Sequence, residues 1–283
     1  MDAFAASLRT RLGATVDERV LVGESAKALT FWPAASPNFA LALWHGGGND
    51  RLWGFWALIE SVLEAGGAVT TAHLPGHGPG RDTFGLEAAR ARLAALLRHA
   101  QSLAPRTTLL GQSMGGALVL DGLAGGLRPD RAIAVSAPLT IPLGPGLLRE
   151  LPFLWGPEAR RSRRYVSAIE ALPAFGPFRR DRFPVRTDGP YIEAFRRALS
   201  GLDLERRLAA GRAQLPPVLV VHGTHDGVIP YGHAERLAAA LNQAGTPLTV
   251  PAGRHFNPLL RDDVLGPIVD WARAETPLPL AAP

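Results

Sequence analysis

Ser113 lies in Gly111-Gln112-Ser113-Met114-Gly115, where the apolar run Thr107-Thr108-Leu109-Leu110 gives way to the helical pattern Met-Gly-Gly-Ala-Leu-Val-Leu-Asp-Gly-Leu. A strand that turns sharply into a helix forces its corner residue into a strained backbone, and flanking glycines let neighbouring chain pass close. The hydroxyl then projects in front of a helix N-terminus, whose N–H groups favour developing negative charge. A serine hydroxyl is a weak nucleophile near neutral pH. It needs a histidine to take its proton and a carboxylate to orient that histidine. Two downstream loops offer such groups. The apolar run Val218-Leu219-Val220-Val221 leads into His222-Gly223-Thr224-His225-Asp226, and Leu248-Thr249-Val250 leads into Pro251-Ala252-Gly253-Arg254-His255. Asp226 and His255 are thereby each expected just past the carboxyl end of a strand, where open α/β sheets gather their chemistry.

The elements that must position these residues follow from periodicity. Val16–Val22 and Ala28–Trp32, on either side of Gly23-Glu24-Ser25, read as an antiparallel hairpin at a sheet edge. Phe39–Trp44 is a continuous apolar run, expected of a strand buried on both faces. A helix is expected through Phe55, Leu58, Ile59, Val62 and Leu63, then a strand at Ala68–Ala72. Leu86–Leu103 reads as an amphipathic helix with Arg90, Arg92 and Arg98 on its polar side. After the helix behind Ser113 come a strand at Ala132–Ser136, a helix at Ala234–Ala244, a strand at Leu248–Val250 and a helix at Asn257–Ala274. Alternating strands and helices imply a mostly parallel twisted sheet with helices on both faces. Residues 137–216 break this rhythm with repeated prolines, so they are assigned to an inserted lid of short helices. Residues 1–136 and 217–283 then form the core.

Composition narrows the partners. Cysteine is absent, which removes disulfides, thiolate metal sites and cysteine nucleophiles together. Residues 137–216 carry 14 Arg against 8 Asp and Glu, so the whole net charge of +5 sits in that segment. Arg160, Arg161, Arg163, Arg164, Arg179, Arg180 and Arg182 form either a solvated face or an attraction for anionic substrates or a lipid surface. No aromatic-interleaved basic motif accompanies them, so no nucleic-acid partner is expected. No apolar run approaches the ~18–20 residues that span a bilayer, and no signal peptide is evident. A soluble, cytoplasmic protein without stable membrane insertion is the expectation. The histidines are spread over separate loops, so neither a metal nor another cofactor is expected.

His45-Gly46-Gly47-Gly48, Leu74-Pro75-Gly76-His77-Gly78, the Gly111–Gly115 corner, His222-Gly223-Thr224-His225-Asp226 and Gly253-Arg254-His255 occur in the order and places seen in α/β-hydrolases. Outside 137–216 the chain resembles that fold over nearly its whole length. The resemblance implies a carboxylesterase or monoacylglycerol-lipase-like serine hydrolase acting on a small ester, with Ser113 as nucleophile, His255 as base and then acid, and Asp226 as orienting acid. It assigns the oxyanion hole to the backbone N–H groups of Met114 and Gly47, with Gly46 as second choice for the latter. Asp203 is an alternative acid, because some members of the fold take theirs from the lid junction. Trp44 and Trp53, with Trp56 and Phe55, either line an acyl pocket or pack a helix on the sheet. His45 is a candidate substrate contact or a loop-holding residue, and His77 and His222 are expected to hold their loops by hydrogen bonds rather than do chemistry. His73 departs from the pattern, where Asp is frequent. Thioesterase, C–C-bond hydrolase and acyltransferase activities use the same machinery. A non-catalytic binding protein on this fold is expected to have lost a triad member, and none is missing here. Serine at the corner argues against dehalogenase and epoxide hydrolase chemistry, whose family members carry Asp there.

Overall fold

The computed structural model describes residues 2–47, 51–52, 54–140, 185–211, 214–242 and 245–274. Eight strands form one sheet in the order β1-β2-β4-β3-β5-β6-β7-β8. They are β1 (Thr15–Val20), β2 (Lys27–Trp32), β3 (Phe39–Trp44), β4 (Gly67–Ala72), β5 (Thr107–Gln112), β6 (Arg131–Val135), β7 (Val218–Gly223) and β8 (Gly245–Val250). The β1–β2 and β2–β4 pairs are antiparallel and every later pair is parallel. Strands β3 to β7 are buried at every residue, as their unbroken apolar runs require of strands covered on both faces. Strand β8 is only partly buried and tolerates Pro247 because one of its sides faces no partner strand.

Helices cover both faces. On one lie α1 (Asp2–Leu12), α2 (Trp56–Glu64) and α8 (Asp262–Arg273), sharing a core with Leu41, Leu110, Ile133 and Leu219. On the other lie α3 (Leu86–Gln101), α4 (Met114–Ala124), α5 (Tyr191–Ser200), α6 (Leu204–Gly211) and α7 (Gly232–Leu241), with Trp44, Leu109 and Val220 beneath them. Helix α4 is buried from Met114 to Leu123 because it is apolar all round and sandwiched between the sheet, α3 and α6. Its one carboxylate, Asp121, has no exposed side-chain surface and is held by Arg90 of α3 at 2.6 Å and by Arg207 of α6. Helix α6 therefore packs as part of the core, although it falls within the 137–216 insert. Of that insert, 141–184 and 212–213, including the seven lid arginines named above, lie outside the described residues.

Three departures from the periodicity reading have physical causes. Helix α1 has no counterpart there, yet Phe4 and Leu8, four apart on one face, are each 1% exposed, and Phe4 meets Phe31 and Trp56 edge-on. Burying two such side chains stabilises the helix by about 4 kcal/mol. Arg92 is not on a solvated face. It is 4% exposed, because Glu24 at 3.2 Å and Asp82 at 2.6 Å come over α3 to pair with it. The helix expected over Asn257–Ala274 is interrupted: a 3₁₀ turn at Pro258–Leu260 ends in extended Arg261 (φ −100°, ψ 129°), and α8 starts afresh. No helix among the described residues is long and apolar enough to cross a membrane.

Candidate active site

The ladder does not stop at the strand ends. Ser113 N–H donates to Val135 O and Ser136 N–H to Val221 O, both at 2.8 Å. Thr224 N–H reaches Val250 O at 3.1 Å, and His225 N–H reaches Gly253 O at 2.8 Å. Each loop leaving a carboxyl end is thus fastened to its neighbour, which brings residues far apart in sequence onto one edge of the sheet.

Ser113 occupies φ 54°, ψ −126°, a conformation that costs a side-chain-bearing residue on the order of 1–3 kcal/mol. The surroundings leave it no alternative. Its N–H is held by β6, and its carbonyl accepts from Ala117 N–H at 3.1 Å. A Cβ on Gly115 would overlap the carbonyl oxygens of Trp44 and His45, and one on Gly111 would overlap the Gly115 backbone. The glycines around the serine are therefore there for close approach of helix to sheet. Ser113 itself is only partly buried.

The Ser113 hydroxyl lies 3.0 Å from His255 Nε2, and His255 Nδ1 lies 2.8 Å from Asp226 Oδ2. With Nδ1–H donating to the carboxylate, Nε2 is left to accept from Ser113 Oγ–H. The Arg254 N–H bond to Asn257 Oδ1, at 2.7 Å, pins the loop beside the histidine. The other oxygen of Asp226 accepts from Val228 N–H at 2.9 Å and Ile229 N–H at 2.7 Å. Burial alone would raise the Asp226 pKa. The charge of His255 and the hydrogen bonds from His222 and His255 outweigh it and hold the carboxyl well below the usual range. These contacts favour the anionic carboxylate.

His45 is fully buried. Its Nε2 accepts from Leu74 N–H at 2.8 Å, so its Nδ1–H donates to Gly46 O at 2.8 Å. Burial first, then the neighbouring His77 and His73, push its pKa well down, keeping the ring neutral. Both ring nitrogens are spent joining the loop after β3 to the loop after β4. Burial likewise lowers His77 to about 4, and its ring stacks on Phe195 at 5.9 Å between centroids. Trp44 is enclosed in the core under α3 and α4, and Phe55 and Trp56 are enclosed under α1 and α8. Trp53 and Gly48 lie outside the described residues. Gly47 ends the described part of the β3 loop, and a Cβ there would overlap the Phe195 ring and come 3.3 Å from Met114 Cε. Gly47 thus approaches the side chain of Met114, the residue after Ser113.

Asp203 immediately precedes α6, with its side chain 60% exposed beside Arg206, and the histidine meets Asp226 instead. His225 points outward, while His222, four residues before Asp226, turns in toward the carboxylate at 3.3 Å. Asn257, Phe195 and the His222–Asp226 contact escape a sequence reading. For His222 the four-residue spacing to the acid, at the end of an apolar strand, is the one signal available. Among the described residues no group of His, Asp and Glu could hold a metal ion.

Known proteins share this fold at low sequence identity. A monoacylglycerol lipase from Paleococcus ferrophilus superposes with a TM-score of 0.64 at 20% identity, covering 88% of this chain and 99% of that one. A soluble variant of the monoglyceride lipase of Saccharomyces cerevisiae gives 0.62 at 18% identity, covering 90% and 92%. A serine hydrolase from the polyaromatic-hydrocarbon-degrading bacterium Cycloclasticus zankles gives 0.65 at 16% identity, covering 92% and 97%. A search of curated proteins finds no significant match by sequence. The alpha/beta hydrolase family model matches residues 41–266. That span holds the Ser113 corner, both loops that meet it and most of the sheet, and the chain accordingly belongs to the alpha/beta hydrolase family.

Proposed function

We propose that the hydrolase cleaves small carboxylic esters through an acyl-enzyme on Ser113. One observation carries the reading: Ser113, held in its strained corner, sits in an unbroken hydrogen-bonded line with His255 and Asp226. In the first half-reaction His255 Nε2 takes the Ser113 proton as Oγ attacks the ester carbonyl, then returns it to the departing alkoxide. In the second, His255 takes a proton from water as that water attacks the acyl group, then gives the proton to Ser113 Oγ as the carboxylic acid departs. Asp226 keeps Nδ1–H in place throughout and compensates the charge on the imidazolium. Met114 begins α4, so its N–H belongs to a helix turn without intrahelical acceptors. With the N–H of Gly47, or of Gly46 as second choice, it would stabilise the oxyanion; loss of one donor of this kind costs about 3 kcal/mol. The part of the 137–216 insert that precedes α6 would form the lid that sets acyl-chain length. The monoacylglycerol lipase and carboxyl esterase among the structural neighbours support an ester as substrate.

The test is labelling with a fluorophosphonate probe at neutral pH, alongside turnover of p-nitrophenyl esters, thioesters and monoacylglycerols. Labelling of the parent at Ser113, none of Ser113→Ala, and faster turnover of esters than of thioesters are expected. An unlabelled parent protein would sink the reading.

A further inference from the structure

We propose that His222 is a positioning residue of the triad, holding the Asp226 oxygen that orients His255. The proposal rests on the ester-hydrolase reading for its activity assay and on geometry alone for its chemistry. His222 Nε2 lies 2.9 Å from Ile229 O and 3.3 Å from Asp226 Oδ2. A carbonyl and a carboxylate oxygen can only accept, so Nε2 carries a proton in every charge state of the ring and shares it between them. Asp226 then has four donors: the N–H groups of Val228 and Ile229 on Oδ1, and His255 and His222 on Oδ2. A carboxylate offers about four lone-pair directions, so this one is filled and has no freedom to swing.

The ring cannot turn away. His222 is 1% exposed on β7 and meets Tyr231 edge-on at 5.9 Å, and Tyr231 is itself fixed by a 2.6 Å bond between its hydroxyl and Thr249 Oγ1 of β8. Its Nδ1 is buried without a hydrogen-bond partner among the described residues, so Nε2 is the nitrogen through which this ring acts. The ionisable neighbours are Asp226, His255 beyond it, Tyr231, and His233 of α7, whose Nδ1 accepts from Leu139 N–H at 2.9 Å. By donating to Oδ2, His222 withdraws negative charge from the oxygen that faces His255. Without it, Oδ2 attracts the Nδ1–H of His255 more strongly, and the catalytic imidazole holds a proton to higher pH.

Steady-state hydrolysis of a p-nitrophenyl ester across pH, by the parent, His222→Leu and His222→Gln, tests this. His222→Leu is expected to lose about tenfold in kcat with KM within about twofold. The acid limb of its pH profile should move up by about half a unit or more. The Gln amide can donate from the same side, so His222→Gln should regain most of the kcat and return the limb toward the parent. A purely structural role would lower Tm and leave the limb where it was, and that result in His222→Leu overturns the proposal. Should His222→Leu fail to fold, nitrogen-15 NMR of the parent decides: a protonated His222 Nε2 is expected, and a bare one overturns it. If the parent turns over no ester, the functional reading falls, and the NMR outcome alone judges His222.

Discussion

Gly223 and Gly253 lie back to back, so close that a Cβ on the first would overlap the carbonyl of the second, and a Cβ on the second would come 2.9 Å from the Cα of the first. One ends β7 three residues before Asp226; the other comes two residues before His255. The spacing of the two loops that carry acid and base is therefore set by main chain against main chain.

Gly223→Ala is expected to push these loops apart. Overpacking against backbone costs about 1–3 kcal/mol of stability. A 1 Å displacement of His255 would lower kcat by roughly 100-fold. Chemical denaturation and ester turnover check both, and an alanine variant with parental values of each would refute the coupling.

Ser113→Gly separates function from strain. Glycine accepts φ 54° at no steric cost, so the variant should gain about 1 kcal/mol in stability after the entropy it returns to the unfolded chain. Turnover should fall by on the order of 10⁶-fold, by analogy with other hydroxyl nucleophiles. Urea titration of the two proteins gives the first number. A less stable glycine variant would mean that the corner is not strained in solution.

Acid should loosen the loops behind the site. Burial lowers His77 from 6.5 to about 4 and moves His45 the same way, so both rings are neutral in the fold while the unfolded chain takes up their protons first. The contribution of each ring is complete above pH 6.5 and is lost as pH falls below it; for His77 the loss runs to about pH 4 and is on the order of 3 kcal/mol. Unfolding free energies at pH 7 and pH 4.5 should differ less in His77→Gln than in the parent. Equal slopes would show that His77 does not carry this dependence.

What could be read from sequence was whatever acts through its own neighbours in the chain. The runs at Phe39–Trp44 and Val218–Val221 announce doubly covered strands, and Ser113 and Asp226 each follow a run of that kind within a few residues. What escaped depends on chain arriving from elsewhere. Arg92 has the spacing of a solvated side chain, and only the return of Glu24 and Asp82 across α3 makes it a buried ion pair. Helix α1 offers few apolar residues, and its worth appears once Phe31 and Trp56 receive Phe4. Trp44 was ambiguous between pocket and core because a strand's last residue can face either, and the helices above it decide for core.

The chain leaves the sheet past Leu139, whose N–H is gripped by His233, and rejoins the described fold at Arg186, whose N–H and carbonyl are gripped by Gly76 and Phe84. Asp121 then clasps the returning helix through Arg207. Departure and arrival are anchored separately, each to scaffold rather than to the other. Both ends of the interruption therefore belong to the core fold, and neither depends on the other for its place.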